Sequence, residues 1–552
     1  MSYPGTTNGL RKPLEDWSHI NWRKINKAVR NLRQRIFLAR KLGNWRKLRN
    51  LQKLMQRSYA NLLLSVRKIT QTNKGKATAG IDKEIINTPL QRVKLVNNWS
   101  GGNQDPTKRV MIPKANGKFR PLGIPSVRDR IEQAIIVNSL EPEWEAVFEP
   151  NSYGFRCGRS CHDAIAQNWI RLNASPNARN NWVLEADIQG FFDNIAHESI
   201  LRQLGNFPNK NLIKGWLKAG FIFEGIYSPT ETGTPQGGVC SPLLANIGLH
   251  GLETFIKSTN SKLGVVRYAD DFIVTARDKG SLESAQIQIQ QWLSERGLNL
   301  SAEKTFITSM VDGFDFLGFN HRHYNGKLLI KPSKKKVLGF CKRIGQEIKA
   351  MNGCEQEVVI KRLNPILRGF ANYYRGVVSK ETFAYIKSRV WQYLWRWAKR
   401  RHPNKNTKWV RNRYFKTING NKWTFSCTTT DRRGKAKELI LYPIAYTPIE
   451  RHIKVKGEAS PDDPSLREYW EKRHQKHGLS YWEKNSRNYK IAQYQNWKCP
   501  ICGETLFNGE DIEIHHIIPV AQGGLDDIEN LQHLHTACHK QEHSKTKSTR
   551  LK

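Results

Sequence analysis

The chain has 552 residues and carries 90 Lys and Arg against 48 Asp and Glu, a formal net charge of +42. That length exceeds one compact core and suggests three or four domains at about 150 residues each, and so basic a balance points to nucleic acid as partner, with a membrane surface the weaker alternative. No run approaches the roughly 18 apolar residues of a membrane span, the polar start Met1-Ser2-Tyr3-Pro4-Gly5 lacks a signal-peptide core, and nine cysteines over this length exclude a disulfide scaffold; the expected location is the cytoplasm, in association with the nucleoid.

From Met1 to Thr70 there are 17 basic residues and two acidic ones, Glu15 and Asp16. Ile25, Val29, Leu32 and Ile36, then Leu48, Leu51, Leu54 and Met55 beyond Gly43, repeat on a helical period. Two basic amphipathic helices are predicted. A solvated charge face accounts for either one alone, whereas the size of the imbalance favours a surface for RNA. Thr72 to Gly80 reads as a flexible basic loop.

Residues 91 to 330 alternate short strand runs with helical patterns such as Asp129 to Leu140 and Ser281 to Leu293. Within them, Trp182-Val183-Leu184-Glu185-Ala186-Asp187 suits a strand that ends in a carboxylate, followed by Gly190, Phe191 and Phe192. Val265-Val266-Arg267 and Phe272-Ile273-Val274-Thr275 read as two strands joined at Tyr268-Ala269-Asp270-Asp271, which sets two adjacent carboxylates at a hairpin tip. Adjacent carboxylates repel, and a hard divalent cation relieves them. Asp187, Asp270 and Asp271 on neighbouring strands can hold two Mg²⁺ about 4 Å apart, the arrangement that activates a 3′-oxygen and stabilises departing pyrophosphate. A plain surface hairpin accounts for the tetrapeptide taken alone.

From Pro332 to about Pro448 the pattern is helical and basic. Between Thr382 and Thr430, 12 Lys or Arg and no acid interleave with Trp391, Tyr393, Trp395, Trp397, Trp409 and Trp423. Such interleaving suits backbone contacts plus base stacking, although the aromatics alone suit a helix core. Ser460-Pro461-Asp462-Asp463-Pro464-Ser465 reads as a turn-rich linker, and Arg467 to Trp497 shows no metal or catalytic pattern. Cys499 and Cys502, then His535 and Cys538, form two pairs at matching spacing able to close on one tetrahedral Zn²⁺, with His543 the alternative to His535. Cys157, Cys161, Cys240, Cys341, Cys354 and Cys427 read as reduced thiols.

The two acidic segments flank Gly233-Thr234-Pro235-Gln236-Gly237-Gly238-Val239-Cys240-Ser241-Pro242-Leu243-Leu244-Ala245-Asn246-Ile247. Around them stand Ile112-Pro113-Lys114, Phe119-Arg120-Pro121-Leu122-Gly123-Ile124-Pro125, Gly297-Leu298-Asn299-Leu300-Ser301, Glu303-Lys304-Thr305 and Phe316-Leu317-Gly318-Phe319. In these motifs and their order the chain resembles the reverse transcriptases of bacterial group II introns. The resemblance implies that Lys114 and Arg120 contact the incoming triphosphate, that Gln236 helps seat the nucleotide and that Lys304 touches phosphate. It implies that Phe192 is the sugar gate, a wall under C2′ that excludes a ribose hydroxyl. Ordinary surface cations, and a core aromatic at Phe192, are the alternatives; on a strand Phe191 takes the core role, because neighbours face opposite ways. The stretch beyond Pro332 resembles the family's thumb, called domain X, which binds intron RNA, with Arg396, Arg400 and Arg401 the candidate contacts.

At the C-terminus His515-His516-Ile517-Ile518-Pro519, Gly523-Gly524, Asn530-Leu531 and His539 resemble the HNH endonucleases, whose strand-strand-helix unit binds a catalytic divalent ion. That resemblance implies His516 as general base, His515 and His539 as ligands of the catalytic metal, and Asn530 as the residue that fixes the loop orienting the base. A purely structural zinc ribbon leaves these histidines without a role.

Together the resemblances imply an α+β multidomain chain. Its parts are a basic helical N-terminal extension (1–90), right-hand reverse transcriptase fingers and palm (91–330), an α-helical thumb (331–450), a linker and DNA-binding region (451–490) and a zinc-bound ββα-metal HNH module (491–552). The implied activities are RNA-directed DNA polymerase, splicing maturase and target-DNA endonuclease, acting together in target-primed reverse transcription. The implied partners are intron RNA, target DNA and dNTPs, and the cofactors two Mg²⁺, a further divalent ion and Zn²⁺. A noncatalytic maturase is one alternative, yet Asp187, Asp270, Asp271, His516 and the cysteines are all present. A retron-type or diversity-generating reverse transcriptase is another, and gives no reason for the thumb-like extension plus nuclease module.

Overall fold

The structure is a computed structural model that describes residues 13–113, 117, 119–173, 180–418, 420–430, 436–482 and 485–549. Lys114 lies outside the described residues. Asn21 and Asn44 cap the helices Trp22–Lys41 and Trp45–Gln56, each accepting a backbone N–H three residues on. Their stripes, Val29, Ile36 and Ala39 with Leu48, Leu51 and Met55, bury against each other as the periodicity predicts. A third helix, Tyr59–Arg67, follows. The loop expected over Thr72 to Gly80 instead contains a short helical turn, Lys74–Ala77, which follows another, Lys68–Thr72. Arg130 donates to the carbonyls of Gly75 at 3.3 Å and Thr78 at 2.7 Å, pairing backbone groups that a free loop leaves to water.

The helix Val127–Glu145 is buried along most of its length and underlies all three N-terminal helices. The palm sheet orders its strands Gly264–Tyr268, Asp271–Ala276, Trp182–Asp187 and Phe306–Ser309, every neighbour antiparallel. Leu184, Ala186, Val265 and Val274 enter one core; Val183, Val266 and Ile273 enter another. Both faces are therefore covered, which explains why these runs are continuously apolar. A second sheet, Phe119–Ile124, Thr107–Pro113, Phe221–Phe223 and Ile226–Ser228, forms the fingers.

The thumb begins as expected with the helices Lys334–Ala350, Gln356–Tyr374 and Lys380–Arg401. It is not wholly helical. Phe415–Ile418, Asn421–Thr430 and Ala436–Ile440 pair into an antiparallel sheet; Thr424, Phe425, Thr428, Thr429 and Thr430 suit a pleated, half-buried surface better than a helix. Nor are residues 451–463 a free linker. Ser460 is fully buried, Asp462 pairs with Arg33 at 2.7 Å, and the buried carboxylate of Asp163 accepts from His452 Nε2 at 2.9 Å and Val455 N at 2.8 Å. This strap leads into the helix Arg467–Tyr481, whose Trp470 closes over Gly158: a Cβ there would lie 2.5 Å from the indole.

The last module pairs Ile512–His516 with Leu531–His535 and ends in the helix Thr536–Thr549. It shares a core with the N-terminal helices, Trp17, Trp22, Leu63 and Val66 meeting Trp497, Leu506 and Leu534. All nine cysteines are unpaired, and no described helix is long and apolar enough to cross a membrane.

Candidate active sites and metal centres

Asp187 ends its strand directly opposite Asp271, and Tyr268 pairs with Asp271 across the hairpin, leaving Ala269 and Asp270 as the two-residue tip. Ala269 takes φ +60°, a left-handed conformation that costs a non-glycine residue roughly 1–2 kcal/mol. Two contacts impose it. Buried Arg267 donates to the Ala269 carbonyl at 3.1 Å, and Gly154 presses so close that a Cβ there would sit 2.4 Å from Ala269 N. The tip is thus rigid, and its three carboxylates converge as the strand pattern predicts.

Convergence has an electrostatic consequence. Burial at the cleft floor, then the charge of Asp187, raises Asp270 above the usual carboxylate range. Burial, then Asp270 and Asp187, pushes Asp271 up to about 7, although its side chain still reaches solvent. Crowded carboxylates of this kind suit hard divalent cations, which remove the repulsion between them. Lys304 Nζ donates to Asp187 at 2.7 Å, and its pKa is raised by that hydrogen bond. The sign for stability follows. A carboxyl raised in the folded state is stabilising to the fold while protonated, and that contribution is lost as pH rises from about 4 through about 7. Asp271→Asn should therefore raise the melting temperature of metal-free protein at pH 8 and change it little at pH 4; equal shifts at both would show that the carboxylates do not couple.

Arg120, on the fingers strand, donates to Gln236 Oε1 at 2.6 Å, and Gln236 Nε2 reaches Asp193 at 3.4 Å. Gly237, at φ +114°, allows the turn to lie on Gly123, whose carbonyl would be 2.6 Å from an added Cβ. The charges of Arg120 and Lys304 reach Asp270, and a cavity of about 380 Å³ opens beside Gln236, lined also by Arg109, Phe192 and Asp193. Phe192 departs from the strand expectation. Gly190, at φ +53°, starts a helical turn, Phe191–Asn194, and both phenylalanines are buried, Phe192 meeting Phe155 edge-on at 6.2 Å. Asp193 was not foreseen; only its place after the two aromatics marks it.

In the thumb, Arg396 and Arg400 are exposed and line a groove of about 450 Å³ with Lys342, Lys349, Arg389 and Tyr393, a lining without a carboxylate. Arg401 does something else. Its Nη1 donates to the carbonyls of Asn352 at 2.9 Å and Cys354 at 2.7 Å, and its guanidinium lies 4.8 Å over Trp397, so it ties its own helix to the turn between Ala350 and Gln356. Trp397 is core, as the helix-core alternative expects, whereas Trp391 and Trp395 are half-buried and pack on Trp423, which lies on the strand Asn421–Thr430 and, like Trp409, is exposed.

In the C-terminal module the ligand atoms of Cys499, Cys502, His535 and Cys538 lie within 4.8 Å of one another, all four residues buried. His535 Nε2 donates to the Thr505 carbonyl at 3.1 Å, which fixes the ring proton on that nitrogen and leaves Nδ1 facing the thiols. Three sulfurs and one imidazole so placed fit Zn²⁺. His543 belongs elsewhere: with His515 and His539 it forms a second cluster, ligand atoms again within 4.8 Å. His539 and His543 lie one helical turn apart and so face the same way. Burial, then the charges of His539 and His543, lowers His515, keeping it a neutral ligand. Glu513, unforeseen in the sequence, accepts from His539 Nδ1 and fixes that ring.

His516 stands beside this cluster. Its Nε2 pairs with Asp526 at 2.8 Å, which leaves Nδ1 as the unprotonated nitrogen of the neutral ring. Asn530 accepts from Ile518 N at 2.7 Å and donates to the carbonyls of Ile518 at 3.1 Å and Leu525 at 2.8 Å, locking the loop after His516. Gly524 is required there, since an added Cβ would lie 1.9 Å from the Ile518 carbonyl.

Comparison with known proteins finds four family matches along the chain. Residues 112–321 match the reverse transcriptase (RNA-dependent DNA polymerase) family and 17–99 the N-terminal domain of reverse transcriptase. Residues 338–415 match the group II intron maturase-specific domain and 499–545 the HNH endonuclease family. Protein YkfC of Escherichia coli K12 is 32% identical over 365 residues, 57% of this chain and 93% of that protein. The group II intron-encoded protein LtrA of Lactococcus lactis subsp. cremoris is 31% identical over 330 residues, 46% of this chain, and the match spans about half of LtrA, 53%. An uncharacterized 91 kDa protein in the cob intron of Schizosaccharomyces pombe is 28% identical over 55% of this chain and 47% of its own. With reverse transcriptase, maturase-specific and HNH modules in that order, the chain belongs to the group II intron-encoded protein family.

Proposed function

We propose that the protein binds its own intron RNA, assists its splicing, nicks one strand of a DNA target and extends the freed 3′-end by copying the intron. The observation that carries this reading is the presence, in one chain, of an intact carboxylate triad and an intact histidine cluster, each with its supporting residues. Mg²⁺ held by Asp187, Asp270 and Asp271 supplies the Lewis acid for nucleotide transfer. Arg120 and Lys304 place positive charge where the triphosphate lies, and Gln236 orients the nucleotide from a rigid turn. Phe192 forms part of the wall beside that space; replacing it with Val should raise ribonucleotide incorporation about tenfold or more, measured by primer extension with rNTPs, and unchanged discrimination would move the gate elsewhere.

In the nuclease, His515, His539 and His543 hold a divalent ion, and His516 Nδ1 takes the proton from water while Asp526 steadies the imidazolium. Asn530 keeps the base in place. The domain limits proposed are those above, with 451–490 a packed strap and helices rather than a spacer. Arg396 and Arg400, with Lys342, Lys349 and Arg389, form the thumb's surface for RNA phosphates. Neutralising Arg396 and Arg400 together should lower the salt dependence of intron binding by about two counterions. An unchanged slope would place the RNA elsewhere. Sequencing the RNA that copurifies tests the whole reading: a group II intron lariat is expected, and bulk cellular RNA would count against it.

A further inference from the structure

The four zinc ligands are not enclosed by their own module alone. Arg67, the last residue of the helix Tyr59–Arg67, is 4% exposed and points its Nη2 at Cys538 Sγ, 2.9 Å away. Its guanidinium lies 4.5 Å over the ring of Trp22. Asn26 donates to the Cys502 carbonyl at 3.1 Å. Gln541, on the helix that carries Cys538, donates to the carbonyls of Ser18 at 2.7 Å and Ile20 at 3.0 Å. Apart from the Arg67–Trp22 contact, each of these joins the two ends of the chain.

The charges explain the arrangement from both sides. Zn²⁺ with three thiolates and one neutral imidazole carries a net charge of about −1, and a buried net charge is unfavourable unless paired. A guanidinium stays charged at any physiological pH, so burying one is costly unless acceptors or an anion meet it. Among the described residues no carboxylate forms an ion pair with Arg67; Glu510 acts on it from beyond contact, after Cys538. The thiolate of Cys538 is the anion in contact.

We infer that Arg67 is the counter-ion of the zinc centre, and that the loaded centre clamps the N-terminal extension to the nuclease module. The zinc therefore does more than fold a small domain: it fixes the helices that carry the chain's N-terminal basic surface. Arg67 is a positioning residue, and the inference rests on the zinc reading of the four ligands.

The test uses the full-length chain as wild type, Arg67→Met and Arg67→Lys, each loaded with zinc or with Co²⁺. Met keeps the stem against Trp22 and removes the charge; Lys restores charge without the planar fork. Three results are expected. Arg67→Met releases zinc to excess chelator at least tenfold faster than wild type, with Lys in between. The thiolate-to-Co²⁺ absorption band of the variant shifts. Chelation of wild type opens the segment 22–67 to trypsin together with 485–549. A folded Met variant that keeps zinc at the wild-type rate with an unshifted Co²⁺ band would overturn the inference, as would chelation that opens 485–549 alone. If the Met variant does not fold, the Lys variant and the proteolysis of wild type decide in the same way. Wild type that binds no zinc would fail the ligand assignment and this inference together, whereas tightly held zinc indifferent to residue 67 would overturn the inference alone.

Discussion

Asp270→Asn is expected to abolish Mg²⁺-dependent extension of a primer on an RNA template, lowering the rate by about a thousandfold or more while RNA binding stays at the wild-type level. The amide keeps the shape of the hairpin tip but removes one of three negative charges, and with it the hold on the ion that offsets charge on the transferring phosphoryl group. A loss of about 4 kcal/mol of transition-state stabilisation gives the thousandfold drop. The fold should not suffer. The carboxyl of Asp270 is already raised by burial and by Asp187, so a neutral group there relieves repulsion. Splicing assistance should survive as well, because the cations of the thumb groove lie on other elements. Extension by the variant at the wild-type rate would remove the triad from the chemistry.

His516→Ala should lower DNA nicking by about a hundredfold to ten-thousandfold, the usual range for a positioned base, without loss of zinc or of melting temperature. His516 lies outside both metal clusters and touches Asp526, not a sulfur. Cys499→Ser should abolish nicking for a different reason. It removes a buried ligand, and small zinc modules lose their fold with their metal. Metal content separates the two variants: His516→Ala keeps its zinc and Cys499→Ser does not. An alanine variant that nicks at the wild-type rate would reduce the module to a zinc-stabilised binding element.

What the sequence discloses depends on how local the cause is. The acidic hairpin is legible because β-branched runs and a two-residue tip lie within about a dozen residues, and Asp187 because its strand ends visibly. The cysteine pairs are legible from spacing. His535 and His543 are both close to Cys538 in sequence, so spacing cannot say which faces the sulfurs; the helix decides by bringing His543 over His539. Phe191 and Phe192 mislead because a strand rule was applied across Gly190, whose left-handed turn begins a helix. The strap at 451–463 reads as a linker because its ties are distant: Asp462 pairs with Arg33, 429 residues away. Arg401 looks like Arg396 and Arg400 in sequence, and only the carbonyls of Asn352 and Cys354 distinguish it. Partners far along the chain leave no periodic trace.

The central claim, that one chain nicks DNA and then copies RNA from the nick, is tested most directly by target-primed synthesis in the intron particle. Intact target duplex and labelled dNTPs are supplied, and cDNA covalently joined to the cut DNA strand is measured. Wild type should give the joined product. Asp270→Asn should nick and not extend, and His516→Ala should give nothing on intact duplex yet regain the product when the target is supplied already nicked. Joined cDNA from His516→Ala on intact duplex at the wild-type level, or none from wild type on pre-nicked target, would contradict the account.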